Sequence, residues 1–186
     1  MKVVEMTDEE LVEAVRLKDD RAAYSVLVKR YQSRIRSSLM QLTGGNRTLA
    51  DDLAQDTFIK AFLAIGQFRG SSSFGTWLYR IAYHRFISSR RKEQNISYGP
   101  LPPEAVDEEL YAEYYSPTTE DLRRAISCLS VEQRSAIHFA YERGLTHQEI
   151  ANIMDSPIGT IKSHITRGKR RLRELMTSST EATCDN

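Results

Sequence analysis

The most distinctive chemistry in the sequence lies near its C-terminus, in the stretch SPIGTIKSHITRGKRRLRE. Residues 156–174 carry six lysines or arginines and no acidic residue before the last position. Hydroxyl side chains and an arginine near the start of a helix can reach base edges in a major groove, and outer lysines and arginines suit phosphates. On a helical wheel, isoleucines and leucines cluster on one side and basic and hydroxyl residues on the other. The pattern predicts a helix that binds duplex DNA, with a solvated basic face as the alternative.

Two capped helices are predicted immediately before this stretch. Their capping boxes are Ser130 with Gln133 and Thr146 with Glu149, at the starts of helices predicted over 130–143 and 147–154. The tripeptide DSP forms a turn, and Pro157 suits the first position of the next helix, where its missing N–H costs least. Gly168 falls in the apolar stripe of that helix and lets a neighbouring helix approach. Short-linked helices with a basic second member are typical of a helix-turn-helix.

A second chemical pattern lies in the motif DDLAQDTFIKAF. Two acidic residues of this motif and three apolar residues in and beside it share one helix face at spacings of 3, 4, 3 and 4, with a glutamine at the boundary: Leu49, Asp52, Asp56, Ile59, Leu63 and Gln55. A solvated face has no reason to hold isoleucine and leucine beside two carboxylates, so the stripe indicates a partner surface that offers arginine or lysine. The alternative is that both faces of the helix are buried in a small bundle. No histidine joins the aspartates, so no metal site is expected.

A third pattern joins a polar loop, QFRGSSSF, to the helix that follows it. Basic residues and a histidine recur along one edge of that helix at Arg80, His84 and Arg91, and aromatic residues lie nearby at Tyr79, Tyr83 and Phe86. Basic residues interleaved with aromatic ones suit single-stranded nucleic acid, because phosphates meet charges and bases can stack. The alternative is that these aromatic residues only pack against the neighbouring helices.

Several classes of protein are not favoured by the sequence. No nucleophile–base pair, glycine-rich phosphate loop or cluster of metal ligands occurs, so no catalytic residue, cofactor or metal is expected. No apolar run approaches the roughly 20 residues of a membrane span, and the N-terminus lacks a signal-peptide pattern, so the chain is expected in the cytoplasm. Cys128 and Cys184 form no C-x-x-C pair, and Cys128 is predicted to be a small core residue.

Charge and periodicity divide the chain into parts. The sequence predicts an all-α fold with two small helical domains, at 1–95 and 119–176, joined by a flexible acidic linker at 96–118 and followed by a disordered tail at 177–186. Residues 96–122 contain seven acidic and no basic side chains, whereas the flanking parts are net positive. The overall charge of +1 therefore conceals a strong asymmetry.

Three motifs together resemble the extracytoplasmic-function sigma factors, the small bacterial class with only sigma domains 2 and 4. They are DDLAQDTFIKAF, FRGSSSFGTWLYRIA and LTHQEIANIMDSPIGTIKSHITRGKRRL, in the order and at the separations of that family. The resemblance covers about residues 8–95 and 119–175. It implies a sigma domain 2 bundle and a sigma domain 4 helix-turn-helix, without catalytic activity.

The resemblance implies a role for each surface. Core RNA polymerase, through its beta-prime clamp helices and beta flap, would be the first partner, and the residues at the clamp-helix contact would be Asp52, Gln55, Asp56, Ile59 and Leu63. The non-template strand of the minus-ten element would meet Phe68, Arg69, Ser71, Ser72, Ser73, Trp77, Arg80, His84 and Arg91. Duplex DNA of the minus-thirty-five element would meet Thr160, Lys162, Ser163, Thr166, Arg167, Arg170 and Arg171.

The family further implies regulated transcription initiation. The chain would direct core polymerase to the promoters of a stress or envelope-signal regulon, and an anti-sigma factor would hold it inactive. The linker would thread the polymerase cleft, without insertion of any segment into a membrane. The last motif also resembles the output domains of luminescence-type response regulators, so a helix-turn-helix regulator that acts without being a polymerase subunit is the alternative.

Overall fold

The computed structural model describes residues 5–95 and 117–181, and the described elements are all helices. The chain divides into two compact units, with the division between Gly99 and Pro100. The predicted all-α fold is therefore confirmed for the described residues. The acidic linker predicted at 96–118 falls almost wholly outside them. None of the described helices is long and apolar enough to cross a membrane.

Residues 8–95 of the N-terminal unit contain four α-helices and a 3₁₀ turn between the third and the fourth. They are α1 (Asp8–Lys18), α2 (Arg21–Leu42), α3 (Arg47–Ala64), the 3₁₀ turn Ile65–Gln67 and α4 (Phe74–Asn95). Side chains cap these helices where the sequence offers them. The carboxylate of Asp20 accepts hydrogen bonds from the N–H groups of Ala22 and Ala23 at 2.9 and 3.0 Å, and Ser73 Oγ accepts one from Thr76 N–H at 3.1 Å.

Apolar faces of the four helices enclose one core. Its fully buried members include Leu11, Leu27, Leu39, Leu78 and Phe86. Burial of such a side chain stabilises the fold by about 1.5–3 kcal/mol relative to its exposure. Ion pairs join the helices at the edge of this core: Arg30 binds Asp8 between α2 and α1, Arg36 binds Asp51 between α2 and α3, and Arg85 binds Asp56 between α4 and α3.

The C-terminal unit is built around a long last helix. Its elements are α5 (Pro117–Ser127), α6 (Val131–Ile137), a π-helical segment (His138–Glu142) that continues α6, α7 (His147–Met154) and α8 (Ile158–Glu181). Both predicted capping boxes are present, at Ser130 with Gln133 and at Thr146 with Glu149. Helix α8 continues to Glu181, past residue 177, where the sequence analysis placed the start of a disordered tail.

The prediction that Cys128 is a core residue is wrong, because Cys128 is exposed. It follows the last turn of α5, where Cys128 N–H bonds the carbonyls of Arg124 and Ala125. The neighbouring Leu129 is buried instead. At a helix end, an error of one residue in the predicted helical face is sufficient to assign burial to the wrong neighbour.

Gly168 is the point of close approach between α8 and α6. A Cβ atom at this position would lie 2.6 Å from Cδ1 of Ile137 and 3.4 Å from Cβ of Gln133. The structure thus confirms that Gly168 lets a neighbouring helix approach.

Substitution of Gly168 by alanine is expected to destabilise the C-terminal unit. Overpacking costs about 1–3 kcal/mol, and the higher helix propensity of alanine offsets about 1 kcal/mol of it. Chemical denaturation of the Gly168→Ala chain measures the net loss. The matched control is Gly159→Ala on the same helix, where a new Cβ meets nothing within 4 Å. Equal stability of the two variants contradicts the close approach.

Candidate functional site

The helix-turn-helix of the C-terminal unit presents its basic face to solvent. The apolar stripe of α8 begins with Ile161 and Ile165, which are buried against α7, where Ile150 and Ile153 are buried in turn. Helix α7 ends at Met154, and its C-cap Asp155 adopts the left-handed conformation with φ of 52°, which turns the chain sharply into α8. Of the seven residues predicted to read duplex DNA, Ser163 is half-buried and Thr160, Lys162, Thr166, Arg167, Arg170 and Arg171 are exposed.

The basic residues of α8 differ in their ion-pair partners. Glu174 lies 3.8 Å from Arg170 Nε and 3.6 Å from Arg171 Nη1. Lys162 and Arg167 have no hydrogen-bond or ion-pair partner among the described residues. Lys162 and Arg167 are therefore the cations of this face that are most available to a ligand.

Tyr141 is a surface residue that the sequence analysis did not single out. It belongs to the π-helical segment, is 60% exposed, and its ring lies 5.2 Å from Lys169 Nζ. A cation–π contact of this kind restricts the orientation of an otherwise mobile lysine side chain. A single tyrosine on a short helix produces no periodic sequence pattern, so its exposure could not be predicted without the fold.

The second face of α3 is exposed, as its spacing predicted. Ile59 is 52% and Leu63 71% exposed, and Asp52 and Gln55 are exposed beside them. The core stripe on the opposite side consists of Ala50, Leu53, Thr57, Ala61 and Ile65. The alternative that both faces of α3 are buried is therefore wrong for this structure, and Ile59 and Leu63 form an uncovered apolar strip beside Asp52.

Asp56 differs from Asp52, although both lie on the predicted stripe. The carboxylate of Asp56 binds the guanidinium of Arg85 on α4, and both side chains are partly buried. Asp52 has no such partner among the described residues. Asp56 thus joins α3 to α4, whereas Asp52 is open to an external cation.

The loop between the 3₁₀ turn and α4 is anchored by aromatic rings. Phe68 is only 8% exposed, and its ring centroid lies 5.9 Å from that of Phe74 and 5.3 Å from that of Trp77. Gly70 has a φ of 70°, which allows the chain to reverse before the serines. Phe68 therefore supports the loop from below, while Arg69 and Ser71 extend into solvent and Ser73 caps α4.

The outer face of α4 is basic but less aromatic than predicted. Arg80 and Arg91 are exposed, and Trp77 and His84 are half-buried. Tyr79, Tyr83 and Phe86 are buried, so the expectation that these rings offer a stacking surface is wrong. They pack into the four-helix core, as the alternative held. Trp77 is the ring on this face that keeps part of its surface free.

No group of three metal-binding side chains comes together in the described parts of the chain. The three surfaces offer charges, hydroxyls and apolar patches, which suit the binding of a charged or apolar partner. Each surface lies on helices whose caps and buried stripes fix its orientation, so the contacts are presented without large rearrangement.

Comparison with known proteins identifies both units. Residues 27–96 match the family Sigma-70 region 2, and residues 119–172 match the family Sigma-70, region 4. The ECF RNA polymerase sigma-E factor of Escherichia coli (strain K12) is 34% identical over 90% of this chain and 93% of its own length. The RNA polymerase sigma-H factor of Pseudomonas aeruginosa is 32% identical over 91% of this chain and 93% of its own length.

Two solved structures are similar as well. The sigma factor RpoE, crystallised with the anti-sigma factor NepR from Bartonella quintana, is 28% identical with a TM-score of 0.66, over 83% of this chain and 96% of that one. CnrH, in complex with the cytosolic domain of CnrY, is 21% identical with a TM-score of 0.70, over 92% of this chain and 97% of that one. The likeness to CnrH concerns the fold alone.

Proposed function

The chain belongs to the extracytoplasmic-function family of RNA polymerase sigma factors, and on that premise we propose how its three surfaces divide the work of promoter recognition. It is an alternative sigma factor that binds core RNA polymerase and directs transcription initiation at specific promoters. The assignment of individual residues rests on the exposures and contacts described above.

The exposed face of α3 binds core polymerase in this proposal. Ile59 and Leu63 supply apolar contact area, and Asp52 and Gln55 supply an acceptor and a hydrogen-bonding amide beside it. An uncovered apolar strip next to a carboxylate that has no partner in the described parts of the chain fits a partner helix that carries arginine or lysine, such as the beta-prime clamp helices. The exposure of Ile59 and Leu63 is the observation that carries the proposal.

The loop at 69–73 and the outer face of α4 hold the melted non-template strand of the minus-ten element. Arg80 and Arg91 suit its phosphates, and the half-buried ring of Trp77 offers an edge to a base. Arg69, Ser71 and Ser72 line the loop above the buried ring of Phe68, and His84 lies between the two arginines on the helix face.

Helix α8 reads the minus-thirty-five element in the major groove. Thr160, Ser163 and Arg167 lie in its first three turns and are placed to reach base edges, with Thr166 beside them. Lys162, Arg170 and Arg171 flank them and suit phosphates. Domain 2 then spans 1–95 and domain 4 spans 119–176, and the acidic segment 96–118 follows the path through polymerase. The beta flap is the proposed polymerase contact of domain 4.

An anti-sigma factor is the proposed regulator. The Bartonella quintana relative was solved with such a partner, NepR, and shares 28% identity with this chain. We propose that this chain is likewise held inactive until a stress or envelope signal releases it. As a polymerase subunit it has no catalytic centre of its own, and it works in the cytoplasm, where polymerase and the chromosome are found.

Transcription in vitro tests the proposed function. Core polymerase with the chain is expected to produce discrete transcripts from a genomic library, and core polymerase alone is expected to produce none of them. The transcript starts reveal the promoter at the same time. Specific duplex binding without core polymerase, together with no new transcripts, would support the helix-turn-helix regulator instead. That alternative is not favoured, because the region 2 match covers residues 27–96.

A further inference from the structure

Tyr31 of α2 joins the first helix of the N-terminal unit to the start of the fourth. Its hydroxyl donates a hydrogen bond to the carboxylate of Asp8 on α1. Its ring contacts that of Phe74, the first residue of α4, in an edge-to-face arrangement with the ring centroids 5.5 Å apart. One side chain therefore connects α1 to the helix that follows the polar loop.

The first turn of α4 lies directly against the Tyr31 ring at Gly75. A Cβ atom at Gly75 would lie 2.9 Å from Cε1 and 3.4 Å from the hydroxyl oxygen of Tyr31. The shorter distance is less than a Cβ atom tolerates, so a larger residue at this position would displace either the ring or the helix. The position of the ring and the position of the helix are thus linked.

The carboxylate of Asp8 is itself held in place. Its other oxygen binds Arg30 at 2.7 Å, and Arg30 also donates a hydrogen bond to the carbonyl of Met6 at 2.6 Å. Burial, and then the hydrogen bond to Asp8, raises the pKa of Tyr31, so its hydroxyl retains the proton that it donates. A hydrogen bond to a charged acceptor on a packed helix restrains the tyrosine ring more than packing alone.

Phe74 connects this restraint to the rings beneath the loop. Its centroid lies 5.9 Å from that of Phe68 and 5.6 Å from that of Trp77, and Phe68 and Phe74 are both buried. Rings packed at native density cannot move independently of one another. The position of Phe74 therefore determines where Phe68 and Trp77 lie.

We propose that Asp8 and Tyr31 are positioning residues for the start of α4 and the loop before it. The hydrogen bond between them holds the Tyr31 ring against Gly75, and the ring fixes Phe74 and the aromatic cluster beneath the loop. The consequence for transcription rests on the proposed function, because this loop belongs to the proposed single-strand surface. The inference extends that function to α1, since Asp8 precedes the Sigma-70 region 2 match, which begins at residue 27.

The fluorescence of Trp77 tests the positioning role without DNA. Trp77 is the only tryptophan of the chain, and its ring belongs to the aromatic cluster. Tyr31→Phe keeps the ring and removes the hydroxyl, so it is expected to shift the emission of Trp77 to longer wavelength and to increase its quenching by acrylamide. Arg30→Ala is the matched control, because it removes the other partner of the Asp8 carboxylate and keeps the tyrosine hydroxyl. Equal changes in the two variants, or an unchanged signal in Tyr31→Phe, overturn the inference.

A double-mutant cycle measures whether Asp8 acts on Gly75 through Tyr31. Denaturation followed by Trp77 fluorescence reports the unfolding of the unit that contains this tryptophan. Gly75→Ala is expected to raise the equilibrium constant of unfolding at least about threefold more in the unaltered chain than in the Asp8→Ala chain, because a ring released from Asp8 can yield to the new Cβ. In the Tyr31→Phe background, where Asp8 has no hydroxyl to bind, the two effects are expected to add.

Glu9→Ala is the control for the cycle, because Glu9 is an exposed acid in the same first turn of α1. Gly75→Ala is expected to cost the same with and without this substitution. Additive effects of Asp8→Ala and Gly75→Ala in the unaltered chain, or coupling of equal size to Glu9, contradict the positioning role. If Gly75→Ala abolishes folding, the comparison of Tyr31→Phe with Arg30→Ala decides alone.

Promoter opening separates this inference from the proposed function. Holoenzyme with Tyr31→Phe is expected to open the recovered promoter about two- to tenfold less favourably, since the position of the loop can shift by no more than the free energy of one hydrogen bond. Permanganate reactivity of thymines in the minus-ten element measures the open fraction. A changed Trp77 signal with undiminished opening refutes the single-strand role of the loop and leaves Asp8 and Tyr31 as positioning residues. Weaker opening by Arg80→Ala, with an unchanged Trp77 signal in Tyr31→Phe, refutes the positioning role alone.

Discussion

An Asp52→Arg chain is expected to lose about 2–5 kcal/mol of binding free energy towards core polymerase and to keep its folding stability. The carboxylate of Asp52 is exposed and has no internal partner among the described residues, so its reversal disturbs nothing within the domain. The new arginine would, however, face the cation expected on the partner, and their repulsion weakens binding. Competition with a labelled sigma factor for core polymerase gives the affinity, and thermal unfolding gives the stability.

Glu13→Arg is the matched control for this variant. Glu13 is an exposed acid on α1, so the substitution changes the charge of the same domain by the same amount at another place. Equal losses for the two variants would mean that the overall charge of the domain sets the affinity. Undiminished polymerase binding by Asp52→Arg would remove the face of α3 from the proposed interface.

Asp56 is expected to behave differently, because Arg85 already occupies its carboxylate. Asp56→Asn and Arg85→Ala are each expected to destabilise the fold by about 0–1 kcal/mol, the range for a partly exposed ion pair. If Asp56 also contacts polymerase, Asp56→Asn weakens polymerase binding more than Arg85→Ala does, and we expect this outcome. Equal losses in the two variants would assign Asp56 solely to the positioning of α4. Denaturation and the same competition assay supply both quantities.

The spacing of residues along α3 was sufficient to predict its two faces. A stripe at 3, 4, 3 and 4 identifies one side of any helix, and Ile59 and Leu63 are apolar at positions opposite the core. Local rules also placed the capping boxes at Ser130 and Thr146 and the close approach at Gly168. Each of these depends on residues within a few turns of one another, where helix geometry alone sets the distance.

Features that depend on two distant segments were not predictable. Arg85 lies 29 residues from Asp56, and only the packing of α4 on α3 makes them a pair. The same packing buries Tyr79 and Tyr83, whose positions on the wheel are compatible with either face until the neighbouring helices are known. Arg16 lies beside Gly66 and Gln67 because α1 packs beside the end of α3. A wheel describes one helix and says nothing of which elements surround it.

Arg167→Ala is expected to cost about 1–3 kcal/mol of discrimination between the promoter and its variants at one or two base pairs. Arg167 is exposed on α8, close to the start of the helix, and no side chain of the described residues holds its guanidinium. In the major groove, such a guanidinium can donate hydrogen bonds to two acceptor atoms of one guanine. Loss of these two bonds lowers the affinity only for sequences that carry this guanine. The measurement compares holoenzyme affinity for the recovered promoter with its affinity for single-base variants of the minus-thirty-five element.

Arg173→Ala is the matched control, because Arg173 is an exposed arginine on the same helix, nearly two turns farther from its start. It is expected to weaken all sequences alike, by phosphate contact alone, or not at all. A uniform loss for Arg167→Ala across every base variant would assign Arg167 to a phosphate and leave base reading to Thr160, Ser163 and Thr166. A loss of discrimination confined to one or two base pairs would identify the base that Arg167 contacts. This one contact determines the register of α8 in the major groove and hence which bases the neighbouring side chains contact.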